Sequence, residues 1–290
     1  MKRSVILICI FNFCLAIGVL WYVWNPSSKQ SAPAITSNTP AAESNVTYSK
    51  EELWTKALHA RSSNEALYYF NQSDDPAELR LKLSDIILGL SIESPPTSNI
   101  WPFLQATFYL VANEAKAIEA LAPFSEITRK KALPLTIRDS AFRTYVENEV
   151  RLCNHETISE NALNLIDALY DEHNSLKSSA LQAEHFLLSK GILPNNRLDS
   201  YNRRLAETVE NEEILLSTRV IALNILATMD NISSIALQRV YESAEPNFRD
   251  ALLKAMIRSK VAPTSLSWLS DFKPLSVDEE QLLQRVLRPY

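Results

Sequence analysis

Residues 134–153 read PLTIRDSAFRTYVENEVRLC. Phe142, Tyr145, Val146 and Val150 recur at three- and four-residue spacing, with Glu149 at the edge of the stripe. That is the period of a helix packed on one side, not the alternation of a strand. The same period runs outward in both directions. Leu79, Leu83, Ile86, Ile87 and Leu90 form an earlier stripe, and Ile214, Leu215, Val220, Leu223, Ile225 and Leu226 form a later, more buried one. Helix starts punctuate the stripes. Ser49…Glu52, Ser62…Glu65, Thr157…Glu160 and Ser276…Glu279 place a hydroxyl three residues before a carboxylate, the pattern of a capping box. Asp75-Pro76 puts an acid at the N-cap and proline at the first helical position. Gly191 before Ile192-Leu193-Pro194 reads as a left-handed helix stop.

Only three glycines occur in 290 residues, against an average usage of about 7%. Phosphate loops, dinucleotide-binding turns and nucleophile elbows all need glycine where backbone turns sharply or approaches a ligand. Barrels and sandwiches need it at their corners. The expected fold is therefore all-α. The spacing predicts helices over 50–60, 63–72, 76–92, 100–121, 134–153, 158–173, 175–190, 197–209, 212–229, 233–243, 246–260 and 277–287. A short helix is expected near 265–271. Short connections make consecutive helices antiparallel hairpins.

An internal echo accompanies the hairpins. Arg138-Asp139-Ser140-Ala141-Phe142 sets a basic residue three before alanine, followed by a large apolar residue. Lys177…Ala180-Leu181 and Arg219…Ala222-Leu223 repeat it, at a step of about 40 residues, in the range of two-helix repeats. Phe248-Arg249-Asp250-Ala251-Leu252 is a degenerate fourth copy. In these residues the segment 134–260 resembles HEAT-like α-solenoid repeats. The resemblance implies stacked hairpins: alanine lets paired helices approach closely, and the basic residue reaches across the repeat. An irregular helical bundle is the alternative arrangement of the same helices.

The N-terminus has another character. Lys2 and Arg3 precede an uncharged run, VILICIFNFCLAIGVLWYVW, over residues 5–24. Twenty residues at about 1.5 Å each span about 30 Å, the bilayer core. Trp21, Tyr22 and Trp24 close it at headgroup level, and Asn25-Pro26 ends it. A cleaved leader would place small residues close behind. Large aromatics stand there instead, and Ala32-Pro33-Ala34 is distant, so an uncleaved anchor is expected. The domain plan is a cytoplasmic terminus at 1–4, a transmembrane helix at 5–24, a flexible linker rich in Pro, Ser, Ala and Thr at 25–48, and a helical repeat-like body at 49–290. The body would lie outside the cell membrane, periplasmic or extracellular.

Residue types that carry chemistry are sparse. Asp74-Asp75-Pro76-Ala77-Glu78 has the look of the aspartate-rich motif of helical prenyl-diphosphate enzymes, but Pro76 makes Asp75 a cap. Cys153-Asn154-His155-Glu156, Glu172-His173, Glu184-His185 and His59 lack the paired spacings of a zinc site. Helical superstructures also occur in lytic transglycosylases, whose Glu-Ser start and Gly-Leu-Met-Gln-like segment are missing here. Cys9 and Cys14 fall in the apolar run, leaving Cys153 alone in the body as a buried, inert thiol. No catalytic, cofactor-binding or metal-binding residue is assigned. The net charge of −5 offers no field for nucleic acid. The expected work is binding a protein partner of an envelope assembly (secretion, division or surface biogenesis), with the bilayer held through residues 5–24. An all-helical enzyme on an envelope substrate is the alternative.

Overall fold

The computed structural model describes residues 48–92, 101–154, 157–172, 175–229, 231–232, 235–259, 263–274 and 276–287. The chain divides between Tyr48 and Ser49. The expected anchor, and all of the expected linker but Tyr48, lie outside the described residues, among which no helix is long and apolar enough to cross a membrane. The second unit is all-helical, with no strand among the described residues.

Its helices are α1 Lys50–Leu58, α2 Ser63–Phe70, α3 Pro76–Ile92, α4 Trp101–Glu114, α5 Ala122–Arg129, α6 Leu135–Leu152 and α7 Glu160–Tyr170. There follow α8 Leu176–Ser189, α9 Leu198–Glu210, α10 Leu216–Thr228, α11 Leu237–Ser243, α12 Pro246–Arg258 and α13 Val277–Leu287. Short 3-10 turns lie at Ile118–Leu121, Asn195–Arg197 and Pro263–Asp271.

The starts follow the expected chemistry where the cap is local. Ser49 and Glu52 form a complete capping box. Asp75 Oδ1 accepts from the Glu78 amide at 3.1 Å, so Asp75 is a cap and Pro76 opens α3. Gly191 sits at φ +72°. The Ile192 amide donates to Leu187 O at 3.0 Å and the Gly191 amide to Leu188 O at 2.9 Å, closing α8 in a Schellman motif.

Four expectations are corrected, one of them the helix expected over 233–243, which begins only at Leu237. The helix expected over 100–121 ends at Glu114, and α5 follows unforeseen. Pro123 lies in its first turn, so a residue that reads as a breaker starts a helix. The helix expected from 158 begins at Glu160. Ser159, not Thr157, is its cap, accepting from the Ala162 amide at 3.1 Å, because Ile158 is drawn into the core. The helix expected from 212 begins at Leu216, since Asn211 accepts from the Glu213 amide at 2.9 Å and so turns the chain.

Helices α5/α6, α7/α8 and α9/α10 pack as hairpins. The second helices also pack on one another in an unbroken row, α4, α6, α8, α10, α12 and α13. The row therefore extends beyond residues 134–260 at both ends. Ala141, Ala180 and Ala222 are fully buried in it, where small side chains permit close approach of helices.

In three of the four copies the basic residue of the echo does the same job. Arg138 Nε donates to the Thr128 carbonyl at 2.7 Å, and Arg219 Nε to the Val209 carbonyl at 3.0 Å. Arg249 Nη2 donates to the Glu242 carbonyl at 3.1 Å. Each acceptor is the penultimate residue of the preceding helix, where carbonyls have no intrahelical partner. The Lys177 ammonium lies 3.6 Å from the ring centroid of Tyr170, the last residue of α7. So in three hairpins the first turn of the second helix closes the C-terminus of the first, and in the fourth it packs on the last side chain of that helix. Two copies also reach forward: Arg138 pairs with Glu172 beyond α7, and the Arg219 guanidinium stacks 4.1 Å from the ring centroid of Phe248 in α12.

Candidate functional site

One register recurs along the second helices, exposed at its ends and half-buried in its middle. Counted from the buried Ala141, Ala180, Ala222 and its equivalent Leu252, the position two residues on is Arg143, Gln182, Asn224 and Lys254. Arg143 and Lys254 are exposed, and Gln182 and Asn224 are half-buried. The position four further along each helix is Glu147, Phe186, Thr228 and Arg258. The middle of this face, on α8 and α10, carries amides, hydroxyls and the half-buried Phe186 and Ile221 rather than charges. Gln182 Oε1 is enclosed and has no hydrogen-bond partner among the described residues. Arg143 donates to Asp139 and to Ser179, both at 3.0 Å, tying α6 to α8. Depletion of charge with a charged rim is the composition of protein-binding surfaces.

A second feature is a cleft between α1, α2 and α3, lined by Trp54, Tyr69, Phe70 and Leu79 with Lys50, Glu78 and Lys82 at its mouth. Glu78 accepts from Lys50 at 2.8 Å and pairs with Lys82 at 3.0 Å. Those bonds, the one from Lys50 foremost, hold the Glu78 carboxyl down at about 2, since a nearby cation favours the charged form. The Trp54 and Phe103 rings meet edge-on, their centroids 5.3 Å apart. The aromatics concentrated early in the chain thus serve largely as core. Tyr68 and Tyr109 are the exposed ones, with Leu81 and Leu88.

The third feature is a group of four charges. Asp167 on α7 and Glu184 on α8 face Arg197 and Arg204. Arg197 pairs with Asp167 and lies 3.3 Å from Glu184. Arg204 lies 2.7 Å from Asp167 and 3.4 Å from Glu184. Glu184 is fully buried, and burial pushes its carboxyl up against the opposing pull of the two arginines, because a low-dielectric site disfavours the charged form. With two acids matched to two guanidinium groups, the arrangement holds helices together.

The other titratable candidates disperse. His59 stands at the end of α1, and Cys153, at the end of α6, is half-buried and donates to Val150 O at 3.4 Å. Burial holds His185 down at about 4, again by disfavouring the charged form. His155, Glu156 and His173 lie outside the described residues. Among the described residues no group of three His, Cys, Asp or Glu side chains is placed to hold a metal. Glu149, read only as the edge of a stripe, is fully buried and accepts from the Ser159 amide at 2.6 Å, capping α7 from the helix before. Its sequence signal is a carboxylate ten residues ahead of a serine N-cap, too generic to pick out.

No family model matches the chain, and neither a curated protein nor a solved structure matches it.

Proposed function

We propose that this chain is a membrane-anchored, extracytoplasmic scaffold of HEAT-like stacked hairpins that binds a protein partner of an envelope assembly through the exposed face of its second helices. The observation that carries the reading is the shared register of Arg143, Gln182, Asn224 and Lys254 along one packed row of helices. Repeat arrays of this kind present an extended surface instead of a pocket, and side chains recurring at one register give a partner several equivalent contacts. The anchoring rests on the sequence of residues 5–24 and on Lys2 and Arg3 before them, a basic flank of the kind kept on the cytoplasmic side.

The test is site-specific photocrosslinking in cells. A photoreactive residue is placed at Asn224 or Gln182 on the row, and at Glu207 on the far side of the α9/α10 hairpin. A discrete adduct from the first two and none from Glu207 supports the reading. Adducts of equal yield from all three, or from none, overturn it. N-terminal sequencing of the mature protein tests the anchor: a start near Ala34 defeats it.

A further inference from the structure

Among the described residues the buried apolar side chains group into two clusters that touch along one helix. One apolar cluster runs from Ala57 to Leu193 and a second from Leu181 to Val286. The boundary passes through α8. Tyr170 and Leu188 are the partly buried hydrophobic residues packed against both clusters. Tyr170 is itself held between two cations, the Lys177 ammonium at 3.6 Å and the Arg204 guanidinium at 4.8 Å from its ring centroid. The four charges Asp167, Glu184, Arg197 and Arg204 lie along the same boundary, joining α7 and α8 to α9.

We propose that the array articulates here, bending between the α7/α8 and α9/α10 hairpins while the segments on either side move as rigid bodies. The physical reason lies in the four charges that accompany the apolar contacts of Leu181, Tyr170 and Leu188 at this boundary. Interdigitated apolar side chains resist sliding, because any displacement opens voids. At the boundary each acid already faces both arginines and each arginine both acids. A small rotation exchanges one pairing for another and leaves no buried charge alone, which is the condition for a shear joint between packed helices. Elsewhere the hairpins are joined differently. Arg138 is committed to the Thr128 carbonyl and Glu172, and Arg219 to the Val209 carbonyl and Phe248.

The experiment is electron–electron resonance between nitroxide pairs on the full-length chain in detergent, with Cys9, Cys14 and Cys153 replaced by serine. Labels at exposed Glu126→Cys and Glu242→Cys span the joint. Asn64→Cys with Glu126→Cys, and Glu207→Cys with Gln281→Cys, lie within one segment each. The spanning pair is expected to give a distance distribution roughly twice as broad as either control. Equal widths in this otherwise unaltered chain overturn the proposal without any disruptive substitution. In Glu184→Leu with Arg204→Met, apolar side chains replace half of the cluster, and the spanning distribution is expected to narrow to the control width. A spanning distribution that stays broad in a folded double variant also overturns the assignment of the joint to these charges.

Discussion

Arg138 is the most demanding of the basic residues to replace, because its loss strips two groups of a partner at once. Its side chain is only 3% exposed, and that of its partner Glu172 only 15%. Arg138→Met keeps the length and apolar stem of the side chain. It leaves the Thr128 carbonyl without its donor and the Glu172 carboxylate without its guanidinium. Removing one member of a buried ion pair costs about 3–5 kcal/mol. For a domain of this size each kcal/mol lowers Tm by about 2–4 °C, so a fall of roughly 6–20 °C is expected. Lys177→Met is the internal comparison. Lys177 occupies the same place in the next hairpin but makes no carbonyl bond there among the described residues, its ammonium meeting the Tyr170 ring instead. A cation–π contact of that kind contributes about 0.5–2 kcal/mol. Thermal melts of the full-length protein followed by circular dichroism measure both. A loss under about 1 kcal/mol for Arg138→Met, or a smaller loss than for Lys177→Met, refutes the reasoning that the guanidinium closes α5 and ties it to the next hairpin.

Three further outcomes are expected. At Gly191 an added methyl meets nothing within 4 Å, so Gly191→Ala acts through the left-handed backbone alone. It destabilises by about 1–2 kcal/mol, and a melt unchanged from wild type counts against the Schellman stop. Tyr241→Phe removes the 2.6 Å bond to Glu279. The loss of a buried bond to a carboxylate costs about 1.5–3 kcal/mol, with hydrogen exchange rising first in α13; unaltered protection of α13 contradicts this. His185 is held at about 4 in the folded chain against an ordinary 6.5. The unfolded chain therefore binds the proton more readily, and stability falls as pH drops from about 6.5 towards 4. His185→Gln is expected to flatten that part of the pH–stability curve, and an unaltered slope assigns the effect to another group.

The fold was legible because its signals are local. The three-to-four spacing of residues 134–153, the Ser49 box, Asp75-Pro76 and Gly191 each act within a turn or two of themselves. The basic-x-x-alanine echo also carried information about packing, since its reach spans only the ten residues from Arg138 to Thr128. Helix α5 is hidden in the sequence because Pro123 reads as a stop, while the same ring is preorganised for a first helical turn. The start of α7 was misplaced because Ile158 is buried by tertiary contacts that its neighbours do not announce. The four-charge joint was out of reach for the same reason. Asp167, Glu184, Arg197 and Arg204 look like ordinary surface charges until three helices and a 3-10 turn bring them together. The ladder of Arg143, Gln182, Asn224 and Lys254 becomes visible only once the buried alanines fix the register.

The arginine ties also have a direction. Arg138 closes a helix made ten residues earlier, then holds out its remaining donors to Glu172, which comes 34 residues later. Arg219 looks back to Val209 and forward to Phe248 in the same way. Each of these two arginines thus closes its own hairpin through residues that precede it and meets the next through residues that follow. The ties therefore run in chain order, from one hairpin to the one that follows it.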